Sequence, residues 1–223
     1  MIRLVMKKIG FVIQFLCIAL CSFGQEAENG IRFIEGEKWE NVLKAAQEQD
    51  KYIFMDCYTS WCGPCKLMLQ DVFSREDVGQ FMNARFVNLK LDMEKGEGPE
   101  LARKYQVKVY PTFLILNENG EVIHRMVGGM KVEDFLQNVQ DGTGEYSLYS
   151  YEKRYAGGER DSRFVYKYIE TLSKAFMKER MEQVLHEYWA TLANQEKSNR
   201  ENWSLVKRFV RDPLLPEYEY LLE

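Results

Sequence analysis

Histidine, cysteine and clustered basic residues, which metal sites and nucleic-acid interfaces need, are scarce in this chain. Its 223 residues include two histidines and five cysteines, and the formal net charge is −4. Structural zinc takes four ligands, and His124 and His186 lie far apart in the sequence. We therefore expect no metal, and we interpret both histidines as surface or packing residues. The lack of a basic cluster gives no indication of a nucleic-acid partner.

Long hydrophobic stretches are also lacking, except for one near the N-terminus. This stretch, residues 9–20, follows a few basic residues and is shorter than the roughly 20 residues that a membrane span needs. Small residues follow it at Ser22 and Gly24, where a signal peptidase reads the chain. We predict that residues 1–24 are a signal peptide, that cleavage occurs before Gln25, and that the mature protein is exported to the periplasm or cell envelope.

Two other interpretations of the N-terminus stay open, an uncleaved membrane anchor and a lipoprotein acylated at Cys21. A small residue usually precedes an acylated cysteine, whereas Leu20 precedes Cys21 here. A signal peptide also changes the cysteine count, because Cys17 and Cys21 leave with it and three cysteines remain. Since three is odd, we do not expect the mature chain to be a disulfide scaffold.

The most informative segment is Trp61-Cys62-Gly63-Pro64-Cys65-Lys66, in which two residues separate the cysteines. An apolar, β-rich run precedes it over residues 52–58, and helical spacing follows over residues 66–73. Cys62 is therefore expected where a strand gives way to a helix. Unpaired backbone N–H groups and the helix dipole stabilise a thiolate at such a place.

This arrangement predicts separate roles for the two cysteines. We expect Cys62 to be the nucleophile that attacks a substrate disulfide. Cys65 lies one helical turn further along, is expected to be less exposed, and would attack the mixed disulfide to release reduced substrate. Outside the cytosol, such a pair is typical of a catalyst that acts on the disulfides of other proteins.

The hexapeptide resembles the active site of the thioredoxin family, and the resemblance covers residues 33–141. It implies that Trp61, Gly63 and Pro64 contribute to substrate binding. Asp56, six residues before the first cysteine, matches a buried aspartate that assists proton transfer at the resolving cysteine. The family fold is a central mixed sheet with helices on both faces, so the resemblance implies an α/β domain of that kind.

Two further segments carry the resemblance. Residues 109–112, Val-Tyr-Pro-Thr, resemble the family's cis-proline loop. This implies that Pro111 packs against the disulfide and that Tyr110 meets the substrate backbone. Residues 127–129, Val-Gly-Gly, resemble the glycine segment beside the substrate groove, which implies substrate contact at Gly128.

One departure from the family concerns the strand next to Asp56. Thioredoxins usually carry a lysine there, close to the buried aspartate, and alignment of residues 89–92 on that strand puts Asn88 at the matching position. Without a cation, burial is expected to make the Asp56 carboxyl hard to ionise. Lys90 takes the place of the family's lysine only if the strand pairs with the Asp56 strand in a different register from the one in this alignment.

Cys57 lies close to the motif in sequence, so a zinc site that includes Cys57, Cys62 and Cys65 is the alternative to redox chemistry. The tryptophan before the motif and the Gly-Pro between its cysteines favour redox chemistry. Cys57 belongs to the opposite strand face from Asp56. We predict a small buried residue there.

Periodicity predicts two parts, a redox domain over residues 25–141 and a small all-α region over residues 145–223. Glycines at positions 142 and 144 mark the boundary. In the first part we predict helices over residues 39–49, 66–73, 99–105 and 132–140, and strands over residues 52–58, 86–91, 112–116 and 121–126.

In the second part, apolar spacing indicates three helices, over residues 164–175, 181–192 and 203–210, the last one ended by Asp212-Pro213. Aromatic residues recur along this region. We interpret them as core, with a partner surface as the alternative: Tyr149, Tyr151, Tyr155, Tyr166, Tyr168, Tyr188 and Trp189.

Taken together, these features indicate an exported thiol–disulfide oxidoreductase that reduces or isomerises disulfides in other proteins and needs no cofactor. The Gly-Pro pair resembles that of the family's reductants, which favours reduction. In an oxidising compartment, a membrane-embedded electron donor would keep the cysteines reduced. Two alternatives remain: a partner- or chaperone-type binding module of the cell envelope with a secondary redox site, and a thioredoxin-like metal-delivery protein. The oligomeric state is left open.

Overall fold

A four-stranded mixed sheet forms the centre of the first part of the chain. The computed structural model describes residues 29–211, 213–214 and 216–221, so the signal peptide predicted for residues 1–24 lies outside the described residues. The strands are β1 (Tyr52–Tyr58), β2 (Phe86–Asp92), β3 (Thr112–Leu116) and β4 (Val122–Val127). Their order is β2-β1-β3-β4, with β1 and β2 parallel and the other two pairs antiparallel.

Five helices cover the two faces of this sheet. They are α1 (Trp39–Gln49), α2 (Gly63–Leu67), α3 (Glu76–Arg85), α4 (Gly98–Lys104) and α5 (Val132–Gly142). Apolar residues of α1 and α4 pack on the face that carries Met55 and Cys57. Those of α3 and α5 pack on the opposite face, which carries Phe54. The predicted α/β fold with helices on both faces is therefore confirmed.

The segment after the cysteine motif differs from the prediction of one helix over residues 66–73. A π-helical turn, Met68–Phe73, follows α2. A π-helical turn widens the residue spacing, so the buried side chains are Met68, Val72 and Phe73, whereas Leu69 is 40% exposed. Helix α3 was not predicted at all, because its only buried residues are Val78, Gly79 and Met82 and its apolar spacing is correspondingly weak.

The second part of the chain is helical, as predicted, but contains more helices than expected. They are α6 (Leu148–Ala156), α7 (Ser162–Lys174), α8 (Lys178–Thr191), α9 (Asn194–Lys197) and α10 (Arg200–Phe209), followed by a 3-10 turn at Pro216–Leu221. Side chains of Ser147, Asp161 and Asn199 accept N-cap hydrogen bonds at α6, α7 and α10. The three predicted helices correspond to α7, α8 and α10, and α10 ends at Phe209, before Asp212.

An aromatic core holds this helical region together. Most of the aromatic residues assigned to the core are buried in it: Tyr151, Tyr155, Tyr168, Tyr188 and Trp189. The hydroxyl of Tyr188 donates to Asn202 Oδ1 at 2.8 Å, so its polar end is also satisfied. Tyr149 is 53% exposed, which makes the core assignment wrong for that residue. None of the helices in the described part of the chain is both long and apolar enough to cross a membrane.

His124 connects the sheet to the helical region. Its side chain lies on β4, is buried, and its Nδ1 accepts a hydrogen bond from the backbone N–H of Leu148 at 3.2 Å. The interpretation as a packing residue is therefore confirmed. Burial lowers the pKa of His124 to about 4, because the charged imidazolium would lose its hydration there. The ring is neutral at pH 7, as an acceptor must be.

We expect His124→Gln to reduce the acid sensitivity of folding. The pKa of His124 is about 4 in the folded state, against an ordinary 6.5. As the pH falls below 6.5, His124 is protonated in the unfolded chain but not in the folded one, so the folded state loses stability. At pH 4 this loss is about 3 kcal/mol. Urea unfolding at pH 7 and pH 4 should show a smaller pH effect in His124→Gln than in the wild type. A pH effect in His124→Gln as large as that of the wild type would contradict the buried, neutral ring.

Candidate active site

The cysteine motif lies where β1 passes into α2. Cys62 is the N-cap residue of α2, and its Sγ accepts a hydrogen bond from the backbone N–H of Cys65 at 3.1 Å. Pro64 occupies the first turn of the helix, where its missing N–H costs nothing and its fixed φ suits the helix. The predicted strand-to-helix position of Cys62 is confirmed.

Cys62 and Cys65 form a disulfide, with their Cα atoms 5.3 Å apart. In this oxidised form both are buried, Cys62 at 3% exposure and Cys65 at 6%. The prediction that Cys65 is the less exposed of the two is therefore wrong for the disulfide form. The bond holds the sulfurs together, so each one shields the other from solvent.

The loop before β3 and the segment after β4 meet, and each of them lies close to the cysteine motif. The Tyr110–Pro111 bond is cis, as the family resemblance implies. The backbone N–H of Gly128 donates to the carbonyl of Pro111 at 2.9 Å. Gly128 has a φ of +90°, which favours glycine. A Cβ placed on Gly129 would lie 3.7 Å from Cβ of Pro64, so this segment also reaches the motif.

Trp61 forms a small cluster with Tyr110 on the surface of the motif. The two rings pack edge to face, with centroids 6.0 Å apart. The indole N–H donates to the Glu94 carboxylate at 3.0 Å, and Trp61 remains 65% exposed. Sequence reasoning missed Glu94, because it lies in an irregular loop after β2 where no periodicity marks it. The cluster presents an exposed aromatic surface beside the cysteine motif.

Asp56 is a buried residue in the interior of β1, and its side chain lies on the same sheet face as that of Phe54. It is 2% exposed, and its Oδ1 has no hydrogen-bond partner among the described residues. Burial raises the pKa of the Asp56 carboxyl from 3.8 to about 7, although the Lys90 ammonium works in the opposite direction. The expectation that Asp56 is hard to ionise agrees with this, and its proton-transfer role stays a prediction.

The expected absence of a cation beside Asp56 is wrong. In the parallel pairing of β1 and β2, Lys90 is the register partner of Asp56, while Asn88 is the partner of Phe54. The Lys90 ammonium also donates to Glu35 at 3.3 Å and lies 4.9 Å above the Tyr58 ring. Burial outweighs the Lys90 charge at Asp56, and the nearby Glu35 carboxylate also raises the pKa of Asp56.

Cys57 lies on the opposite face of β1 and is fully buried among apolar residues. It is a free thiol, and burial raises its pKa well above the ordinary value. The prediction of a small buried residue is confirmed. Within the described residues, no three or more His, Cys, Asp or Glu side chains are grouped to hold a metal ion.

Known proteins resemble the part of the chain that carries this site. Residues 39–143 match the family model of the thioredoxin-like domain. The chain is 30% identical over 104 residues to a thioredoxin-like protein of Synechocystis sp., and this match covers 93% of that protein and 47% of this chain. The chain belongs to the thioredoxin family. Its residues 39–143 form a thioredoxin-like disulfide oxidoreductase domain with a Cys-x-x-Cys pair.

Other thioredoxins match this family member over a similar part of the chain. Thioredoxin H2-1 of Oryza sativa is 40% identical over 96 residues, which is 43% of this chain and 64% of that protein. Thioredoxin Y1 of Arabidopsis thaliana is 33% identical over 112 residues, 49% of this chain and 62% of that protein. The chain thus spans less than two thirds of the length of these two relatives.

Solved structures resemble the same part of this thioredoxin-family chain. A putative disulphide-isomerase from Bacteroides thetaiotaomicron is 47% identical, with a TM-score of 0.48, and the match covers 51% of this chain and 93% of that one. A thioredoxin from Thermus thermophilus is 25% identical, with a TM-score of 0.46, over 52% of this chain and 90% of that one. The thioredoxin family model ends at residue 143, before the first helix of the helical region.

Proposed function

We propose that this protein reduces or isomerises disulfides in other proteins, with Cys62 as the attacking cysteine and Cys65 as the resolving one. The observation that carries the proposal is the Cys62–Cys65 disulfide at the N-cap of α2, beside a cis-proline loop at Tyr110–Pro111. Membership of the thioredoxin family supports the same chemistry. The substrates are disulfide-bearing proteins.

The reaction balances within the two cysteines and the substrate disulfide. The Cys62 thiolate attacks one substrate sulfur, which forms a mixed disulfide and releases the other substrate sulfur as a thiolate. The Cys65 thiolate then attacks Cys62 Sγ, which releases the second substrate sulfur and forms the Cys62–Cys65 disulfide. Two electrons pass to the substrate. The hydrogen bond from the Cys65 N–H to Cys62 Sγ stabilises negative charge on the attacking sulfur.

Asp56 supports the second step in this proposal. A carboxyl with a pKa of about 7 gains and loses a proton within the physiological range, which suits it to accept the proton of the Cys65 thiol. Trp61, Gly63, Pro64, Tyr110, Pro111 and Gly128 would contact the substrate. The exposed ring of Trp61 and its contact with Tyr110 support that assignment for those two residues.

The experiment that tests the proposal is the reduction potential of the Cys62–Cys65 pair. We expect a value near −270 mV, the thioredoxin end of the range, because of the Gly-Pro between the cysteines. Equilibration with dithiothreitol or glutathione, followed by thiol counting in a mass spectrometer, gives the potential. A value between about −180 and −120 mV would rule out the expected reductant and would indicate an isomerase or an oxidant. Failure to catalyse reduction of insulin would contradict the enzyme proposal itself.

The proposal includes export of the mature protein and a membrane-embedded electron donor. Support comes from the basic residues before the apolar stretch at residues 9–20 and from the small residues before Gln25. We expect the chain purified from the envelope of its host to begin at Gln25. N-terminal peptide mapping by mass spectrometry checks this. A peptide that retains Cys21 would show an uncleaved or acylated N-terminus instead.

A further inference from the structure

Strand β4 leaves hydrogen-bonding groups unpaired along one edge of the sheet. It is the last strand in the order β2-β1-β3-β4. Its register pairs Val127 with Thr112, and the next residue, Gly128, donates its N–H to the Pro111 carbonyl. Hydrogen-bonded and non-hydrogen-bonded pairs alternate along an antiparallel ladder. The backbone groups of Met126 therefore point towards β3, and those of Arg125 and Val127 point away from it.

No other described part of the chain takes up these outward groups. Apart from its pairing with β3, the backbone of β4 makes no hydrogen bond to any residue that the structure describes. Helix α6 packs against β4, and its first residue, Leu148, donates its N–H to the ring of His124. The N–H and C=O groups of Arg125 and Val127 are thus a template for a further strand.

A groove of about 850 Å³ lies along this edge. Four consecutive residues of β4, from 124 to 127, line it. Side chains alternate between the two faces of a sheet, so four consecutive residues border one cavity only if that cavity runs along the strand edge. Helices α6 and α7 form the opposite wall, with Tyr151 and Phe164 among its residues. The volume is within the range of ligand sites in proteins.

The groove lies between two separate apolar cores of the described chain. The apolar core of the helical region contains only residues from 148 onwards. The two apolar clusters of the sheet contain only residues up to 139 among their buried members. No shared apolar core fills the space between the two parts of the described chain. Phe176, which is 67% exposed, borders the groove and offers an apolar contact to whatever lies in it.

One end of the groove borders residues that contact the redox site. Gly129 lines it, and a Cβ on Gly129 would lie in van der Waals contact with Pro64 of the cysteine motif. Val127, which also lines the groove, pairs with Thr112 of the cis-proline segment. A chain lying along β4 towards Gly129 would therefore reach Pro64, which lies between the two cysteines.

We propose that this groove binds an extended segment of the substrate polypeptide by adding a strand to β4. The segment bonds through its backbone to the N–H and C=O groups of Arg125 and Val127, and its side chains contact the helical wall. Strand addition recognises backbone rather than sequence, so the substrate class is an unfolded or locally extended protein chain. The inference rests on the proposed function, because it positions the cysteine of that chain at Cys62.

The test is amide hydrogen exchange on the full chain in its disulfide form, with S-carboxymethylated insulin B chain as the probe. The probe has no free thiol, so it binds without disulfide exchange. We expect saturating probe to slow exchange at Arg125 and Val127 by about tenfold or more. The amide of Met126, already bonded to β3, is the internal control and should change little. Unchanged exchange at Arg125 and Val127 would overturn the proposal.

A pair of variants tests the backbone contact itself. Arg125→Pro and Arg125→Ala both lose the guanidinium bonds to the carbonyls of Tyr105 and Gln106, but only the proline variant loses the outward N–H. Proline is tolerated at an edge position whose N–H faces away from the ladder. We expect the probe Kd, measured by fluorescence anisotropy, to rise about fivefold from the alanine to the proline variant. Equal affinities would count against strand addition, and the exchange test stands even if the proline variant does not fold.

Other occupants give different results, and each of them overturns the proposal. Protection of Arg125 and Val127 without probe, growing with protein concentration, would mean that a second copy of the chain covers the edge. Protection without probe at every concentration would mean that the chain covers its own edge.

Insulin reduction is measured separately on the wild type. If insulin is reduced but the amides of Arg125 and Val127 are not protected, strand addition in the groove is refuted and the proposed function stands. If those amides are protected but insulin is not reduced, the proposed function is refuted and binding in the groove stands.

Discussion

Cys62→Ser is expected to abolish catalysed disulfide reduction, and Cys65→Ser is expected to leave the protein covalently attached to its substrates. Without Cys62, no thiol remains at the N-cap of α2, so the rate should fall to that of the uncatalysed reaction. Without Cys65, the mixed disulfide on Cys62 has no internal thiolate to resolve it. Insulin reduction assays measure the first effect. Non-reducing gels and mass spectrometry of captured substrates measure the second.

Cys57→Ala is the matched control for both cysteine variants. Cys57 is the third cysteine of the described chain, but it is buried on the opposite face of β1 from Asp56 and has no part in the proposed cycle. This variant should keep most of the wild-type turnover and should capture no substrate. Turnover that survived in Cys62→Ser and was lost in Cys57→Ala would contradict the assigned roles.

The second large effect concerns Asp56, which should limit the stability of the oxidised protein above neutral pH. Its pKa is about 7 in the fold against an ordinary 3.8, so the unfolded chain gives up this proton at a lower pH. The folded state therefore loses stability as the pH rises from about 4 to 7. Asp56→Asn removes that loss. We expect it to raise the free energy of unfolding by about 4 kcal/mol at pH 8 and by about 2 kcal/mol at pH 5.

Urea unfolding of the wild type and of Asp56→Asn, both in the disulfide form, at pH 5 and pH 8 measures this difference in the free energy of unfolding. Asp92→Asn is the matched control on the neighbouring strand. Burial acts to raise the pKa of Asp92. The Lys95 ammonium and the Glu94 N–H outweigh that effect and hold the pKa of Asp92 below its ordinary value. Asp92→Asn should therefore not stabilise the protein as the pH rises. An Asp56→Asn protein with the pH dependence of the wild type would contradict the buried, protonated carboxyl.

Asp56→Asn should also slow turnover while leaving the first attack by Cys62 unaffected. Loss of a positioned proton acceptor costs roughly a hundredfold in rate, and here the cost falls on the step at Cys65. The mixed disulfide should then accumulate during turnover, as quenched-flow mass spectrometry can show. A purely structural role for Asp56 would change stability without any accumulation of this intermediate.

The cysteine motif shows why some of this site could be predicted from the sequence. The strand before it, the N-cap position of Cys62 and the proline in the first helical turn follow from local preferences along one short segment. The cis bond at Tyr110–Pro111 was implied by the family resemblance, since an isolated X-Pro bond is usually trans. Burial of Cys57 follows from the alternation of side chains along a strand.

Other features depended on which elements pack together. Lys90 is the register partner of Asp56, and the alignment that favoured Asn88 could not show how the two strands pair. The contact of Trp61 with Glu94 joins residues on separate loops. The buried His124 needed the N–H of Leu148, in the helical region, as its partner. Each of these contacts joins residues that no local pattern links.

The sequence by itself determined the strands of the redox domain, the pair of cysteines and the helical character of the last third of the chain, because each of these follows from periodicity and local chemistry. The arrangement of those strands in one mixed sheet was implied by the family resemblance. Only the tertiary structure decided the protonation of Asp56 and of His124, because a pKa depends on the burial that packing creates. It also decided the groove along β4. A free strand edge exists only once the order of the strands and the position of the helices are fixed.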